Sequence, residues 1–238
     1  MNSRYPRKLL MPPDTFERHS LIAELSGEPD TLLDVGGIRG ELGLFMPKTA
    51  ITTINMAGED ADAHFDGDRL PFEDDAFEVA VSLDVLEHIP GPERHRHFSE
   101  LVRVARRKVI LCCPLGTPQH IAAEDELAGW YRDTAGESHR FLQEHLDTGL
   151  PSEPELEELA GASGHPFELR FHGDYRRANA AFRRSTELRA HPGPGTAIAY
   201  ARVRLDPRRS LTLADRSEFH SNRAFVEIET GTPARDAA

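Results

Sequence analysis

Apolar positions along this chain fall into two rhythms. Short continuous runs, "TLLDV" (31–35), "AITTINM" (50–56), "FEVAVSL" (77–83) and "KVILCCPL" (108–115), have the length and the β-branched content of buried strands. A further short strand is expected between Asp62 and Phe65. Between the strands the spacing turns helical. "DTFERHSLIAELSG" predicts a helix capped by Asp14, with Glu17 at the reciprocal capping position and a stripe of Phe16, Leu21, Ile22 and Leu25. Gly27 and Pro29 end it. "GPERHRHFSELVRVARRK" predicts the clearest helix, with Gly91 at the cap and Pro92 in the first turn. Phe98, Leu101, Val102 and Ala105 form its apolar face, and Arg106, Arg107 and Lys108 complement its negative end.

Strands alternating with helices at this spacing imply a parallel sheet covered on both faces. The alternation breaks after the run at 108–115. Residues 117–150 read as two amphipathic helices, one carrying Trp130 and Tyr131, the other Phe141, Leu142 and Leu146. "SEPELEEL" opens a further helix with a Ser152–Glu155 capping box. "FELRFHGD" (167–174) and "SNRAFVEIET" (221–230) read as an antiparallel pair at the sheet edge, whereas 176–215 shows no decisive pattern. No internal repeat or low-complexity tract interrupts the chain. The expected organisation is one domain over 1–238: a helical cover (1–29), a core (30–116), an inserted lid (117–150), and helices with edge strands (151–238).

Length and charge narrow the function. The 238 residues suffice for one sizeable core. A formal net charge of −12 opposes the phosphate neutralisation that nucleic-acid binding needs. No apolar run approaches the roughly 20 residues of a membrane helix, and the N-terminus lacks a secretory pattern, so a cytoplasmic protein is expected. The only cysteines, Cys112 and Cys113, are adjacent and read as buried thiols rather than a disulfide. The 12 histidines show no metal-ligand spacing, so no metal is expected. His95 and His97 read as surface residues, and His139 and His145 as surface or packing residues.

"LLDVGGIRGELGLF" then turns out of a strand through Asp34, Gly36, Gly37, Gly40 and Gly43. Glycines there let backbone approach a ligand, and the next helix start offers free N–H groups. A phosphate loop would need a following Gly-Lys-Ser/Thr, and a dinucleotide turn a glycine where Ile38 stands. "FDGDRLPFEDDAFEVAVSLDVLEHIP" discriminates further: a strand-end acid, Leu-Pro-Phe, an acidic turn, and an aromatic opening a strand. Together the two stretches resemble the class I S-adenosylmethionine-dependent methyltransferases, closest to the small-molecule group called type 11, over about residues 30–116.

The resemblance implies a Rossmann-like, doubly wound α/β sheet of about seven strands with an antiparallel edge strand and a helical lid. It implies S-adenosylmethionine as cofactor. Asp34, Gly36, Gly37 and Gly40 would hold its methionine part. Asn55 stands where the family has an acid on the ribose, so Asn55→Asp is expected to preserve or tighten binding. Asp66, flanked by Gly67 and Asp68, would take the adenine amino group, and Ser82, Leu83 and Asp84 would approach the methionyl amine. His88 is the first candidate base and His120 the second. Trp130 and Tyr131 are candidate acceptor contacts. The acceptor implied is a small molecule or saccharide, methylated at oxygen or nitrogen. The alternative is a cofactor-binding protein without transfer activity, or a partner subunit of another enzyme.

Overall fold

The apolar runs are neighbours in a single seven-stranded sheet. Its strands are β1 (Thr31–Val35), β2 (Ala50–Met56), β3 (Ala63–Phe65), β4 (Phe77–Leu83), β5 (Ala105–Pro114), β6 (Phe167–His172) and β7 (Arg223–Glu229), in the order β3-β2-β1-β4-β5-β7-β6. Strands β1 to β5 run parallel, and β7 is antiparallel to both β5 and β6. The computed structural model describes residues 11–56, 58–204 and 210–231. Residues 1–10 of the expected helical cover, and 205–209 and 232–238 of the C-terminal region, lie outside the described residues.

Helices cover both faces because alternate residues of the central strands point to opposite sides. On one face Leu33, Ala80, Val109, Leu111 and Val226 pack with α2 (Gly91–Val104) and α5 (Glu153–Ala162), through Phe98, Leu101, Leu156 and Leu159. On the other, Leu32, Val79, Val81, Ile110 and Phe225 pack with Leu21 and Ile22 of α1 (Pro13–Ser26). Replacing either fully buried residue of α1 by alanine should cost about 2–5 kcal/mol. The segment expected as a lid forms α3 (Pro118–Ala135) and α4 (Arg140–Thr148); the undecided 176–215 segment supplies α6 (Tyr175–Ala190) and α7 (Thr196–Arg204). The Ser152–Glu155 capping box is present at α5.

Several local expectations are corrected. α1 begins at Pro13, so Asp14 is not a cap; it lies in the first turn and pairs with Arg18 at 3.1 Å. Glu17 is buried, paired with Arg177 and accepting from the Ser210 N–H at 3.0 Å. α2 begins at Gly91 itself and stops at Val104, and 105–108 belong to β5. The basic cluster therefore does not cap a helix. Arg106 pairs with Glu78 at 3.1 Å and Lys108 with Glu229 at 2.9 Å, partners from distant sequence that hold the extended conformation. His97 is buried, not on the surface, because it shares the inward face of α2 with Arg94, Phe98 and Leu101.

Candidate active site

The sheet order reverses between β1 and β4, which exposes a crevice at the carboxyl ends of the parallel strands. Strand register sets Val35 level with Ile54 and Ser82, so the chain leaving β1, β2 and β4 emerges side by side. Gly36 (φ +81°) turns the chain there and donates its N–H to Ile54 O at 2.8 Å. A Cβ at this position would collide with Val85, and one at Gly37 with the Asp34 carboxyl. Bare backbone at these two positions is thus required by their neighbours.

Asn55 clasps this turn. Its Nδ2 donates to Gly36 O at 2.9 Å and Gly37 O at 3.0 Å, while Oδ1 accepts from the Met56 N–H at 2.8 Å. The Met56 N–H fixes which end of the amide is oxygen, because only an acceptor can face it. A carboxylate could not make the two donations. Where the sequence suggested a ribose contact, the structure finds the amide holding the glycine turn. Asp34 is buried below it; burial first, then the charge of Glu41, pushes its carboxyl up to about 7.

Beyond β3, Asp66 is exposed and accepts from the Asp68 N–H at 3.0 Å, with Gly67 (φ +94°) between them. Asp68 pairs with Arg96 at 3.0 Å. At the end of β4, Ser82 is buried against His97, Oγ to Nε2 at 3.0 Å, and Leu83 is buried beside it. Asp84 takes a left-handed conformation (φ +51°) and donates its N–H to Cys112 O at 2.9 Å. Its carboxylate pairs with Arg223 and, at 3.1 Å, with Arg18. Burial raises its pKa, but these two guanidinium charges outweigh that and hold it well below the usual carboxylate range. Asp84 thereby latches α1 and β7 to the crevice.

A 3-10 turn, Leu86–His88, carries Glu87 and His88 out of β4. The buried Arg94 fixes it by donating Nε to Leu86 O and Ile89 O, at 3.1 and 3.0 Å, while its Nη1 reaches Glu155 at 2.8 Å. From above, α4 adds Thr148 to Glu87 O, Glu144 Oε2 at 2.9 Å from His88 Nδ1, and the His145 ring at 5.1 Å from that of His88. His145 Nδ1 in turn meets Glu124 Oε2 of α3 at 3.0 Å. Glu87 is fully buried; burial and nearby Asp84 raise its pKa well above the usual value. Burial lowers the pKa of His88 and of His120. His120 is enclosed, its Nδ1 2.8 Å from Leu115 O and its ring stacked on Tyr175. Trp130 and Tyr131 point elsewhere: Trp130 packs against the buried cluster of Leu127, Ala128 and Leu142, under Arg183, and Tyr131 against His139 and Phe182. Trp130 also lines a cavity of about 650 Å³ with residues of α3, α6 and α7 that includes none of the other expected site residues.

Residues 43–113 match the family model of a methyltransferase domain. That match, on this fold, supports the class I S-adenosylmethionine-dependent methyltransferase family. No curated protein matches its sequence. Among solved structures, the chain is similar to a Haemonchus contortus phosphoethanolamine N-methyltransferase 2 in complex with S-adenosyl-L-methionine. The two share 15% identity at a TM-score of 0.53, over 90% of this chain and 52% of that one. It is similar to a geranyl diphosphate C-methyltransferase from Streptomyces coelicolor (11% identity, TM-score 0.50, 90% of this chain and 78% of that one). It also resembles the (4+2)-cyclase SpnF (18% identity, TM-score 0.50, 91% and 81%). At these identities the likeness speaks for the fold.

The crevice suits a cationic nucleotide cofactor. Its glycine turn is bare backbone, a buried acid at Asp34 lies under it, and a further acid, Asp66, stands at the end of β3. Sequence reasoning identified those positions but missed Arg18, Arg94, Arg223, Glu144 and His145. Apart from Arg94, nothing in their local sequence marks them, because the contacts that place them at the crevice are with distant residues, up to 139 positions away for Arg223 and Asp84. Arg94 alone carried a signal: it sits at the helical spacing of the buried face of α2.

Proposed function

We propose that this methyltransferase moves the methyl group of S-adenosylmethionine to an oxygen or nitrogen of a small molecule or saccharide. His88 is the observation that carries this reading. It stands just past β4, partly exposed, with its Nδ1 2.9 Å from Glu144 Oε2 of α4. A bound cofactor supplies an electrophilic methyl carbon on its sulfonium, so alignment and exclusion of water provide most of the acceleration. Asp34 and the 36–40 turn orient the methionine end, and Asp66 the adenine. Asp84 and Ser82 shape the wall next to the transferred group. The acceptor attacks in line from the α4 side, and His88 Nε2 takes its proton. His120, enclosed by Leu115 and Tyr175, positions the α3 end of the pocket. The acceptors named for the phosphoethanolamine and geranyl diphosphate enzymes support a small-molecule acceptor.

Transfer of label from methyl-labelled S-adenosylmethionine to panels of hydroxylated and amino acceptors tests the proposal. With an accepted substrate, His88→Ala should lower kcat by about 10²–10⁴ while cofactor affinity holds. Full kcat in that variant would remove the proton-acceptor role. The likeness to a cyclase favours a second reading, cofactor binding without transfer, which cofactor binding with no labelled product across the panels would support.

A further inference from the structure

Glu87, His88 and His145 each present one ligand atom within 4.8 Å of the others. They come together from two elements, the turn after β4 and the lid helix α4, 57 positions apart. That separation explains why no ligand spacing is visible along the sequence. We propose that these three residues form a binding site for a divalent first-row transition metal, with its remaining coordination positions open to the acceptor pocket.

Three features support a cation here. The first is the donor set: two imidazoles and one carboxylate suit zinc, iron(II) or cobalt(II), and three protein ligands leave room for a water or substrate oxygen. The second is the surroundings of the rings. His88 Nδ1 lies 2.9 Å from Glu144 Oε2 and His145 Nδ1 lies 3.0 Å from Glu124 Oε2. A carboxylate hydrogen-bonded to Nδ1, as Glu124 is to His145, keeps the proton there and leaves the Nε2 lone pair for a metal, the arrangement that orients metal-binding histidines; His88 Nδ1 has Glu144 close by but forms no hydrogen bond to it. The third is Glu87 itself. It is 1% exposed, its Oε1 lies 3.9 Å from His88 Nε2, and its Oε2 is buried with no hydrogen-bond partner. A buried carboxylate oxygen without a donor is costly, and a cation satisfies it. Tetrahedral ligands sit about 3.4 Å apart at zinc distances, so side-chain rotations of roughly an ångström close the set.

The position gives the cation a use. An acceptor hydroxyl on an open coordination position would have its pKa lowered and its oxygen fixed for attack; with the cation on His88 Nε2 its proton leaves to water, and only the metal-free protein uses that nitrogen as the proton acceptor. That use rests on the proposed transfer to a small-molecule acceptor; the metal site itself does not.

The test is direct titration of the chelator-stripped full chain with Co²⁺, followed by visible d–d absorption, and with Zn²⁺ by calorimetry. The expected result is one cation per chain at micromolar affinity or tighter. Glu87→Gln and His145→Ala should each weaken it at least a hundredfold. Glu124→Gln and Glu144→Gln should weaken it about 10–100-fold through the ring partners, and His95→Ala, on the exposed face of α2, should change nothing. Circular dichroism and S-adenosylmethionine calorimetry on each variant establish that it is folded; the near-isosteric Glu87→Gln decides the matter if His145→Ala is not. Absence of one-to-one binding, or binding unchanged in Glu87→Gln, would overturn the site. Cofactor binding measured on the same samples keeps that outcome separate from failure of the methyltransferase reading.

Discussion

Asn55→Asp distinguishes the two roles open to Asn55, because they predict opposite signs. In the structure the amide donates to two carbonyl oxygens of the glycine turn, at 2.9 and 3.0 Å. Each such bond contributes about 0.5–1.5 kcal/mol net, so Asn55→Ala should cost roughly 2 kcal/mol. For a chain of this size that lowers Tm by about 4–8 °C. Aspartate is worse than alanine, since it sets an oxygen against both carbonyls instead of leaving a gap for water. Cofactor affinity should fall in the same order, roughly tenfold for each 1.4 kcal/mol of loop distortion. Thermal melts of the cofactor-free proteins and calorimetry with S-adenosylhomocysteine read both quantities. A melt within 1 °C of wild type for Asn55→Asp, with equal or tighter binding, would refute the clasp and restore a ribose contact.

Asp34→Asn should change the pH dependence of stability. The folded protein keeps this proton up to about pH 7, whereas an unfolded carboxyl loses it near 3.8, so wild-type stability falls as pH rises between those values. At 1.36 kcal/mol per unit the variant should gain up to about 4 kcal/mol over wild type at pH 8 and nothing below pH 4, read from urea melts; a pH-independent difference would contradict the assignment. Trp130→Ala removes a ring packed against the Leu127, Ala128 and Leu142 cluster beneath Arg183, at 4.8 Å. It should lower turnover at least fivefold through loosened lid helices and leave cofactor affinity within twofold; an equal loss of both would detach the lid from the acceptor side.

Elements were legible where the signal is local, and site contacts were not. Each run from "TLLDV" to "FEVAVSL" declares a strand by its own residues, and Ser152 with Glu155 declares a helix start by spacing. The end of α2 did not, because residues 105–108 are extended by pairing with β4 and β7, with Glu78, Glu227 and Glu229 of those strands taking the Arg106 and Lys108 charges. His97 could have been found, since it stands three residues after Arg94 and four before Leu101 on one helical face. The placement of His145 beside His88 could not, as it depends on how α4 packs over the turn after β4. Asn55 shows a subtler limit. Its position at the end of β2 was legible, but which partners its amide takes depends on the turn across the crevice.

The central claim is that the crevice at the ends of β1, β2 and β4 binds S-adenosylmethionine. Calorimetric titration of the wild-type chain with the cofactor and its demethylated product tests it most directly. The account predicts one site per chain, and a tenfold to hundredfold loss in Asp66→Ala from removal of a bond of about 1–3 kcal/mol to the adenine. No binding of either compound by the folded wild type would contradict it.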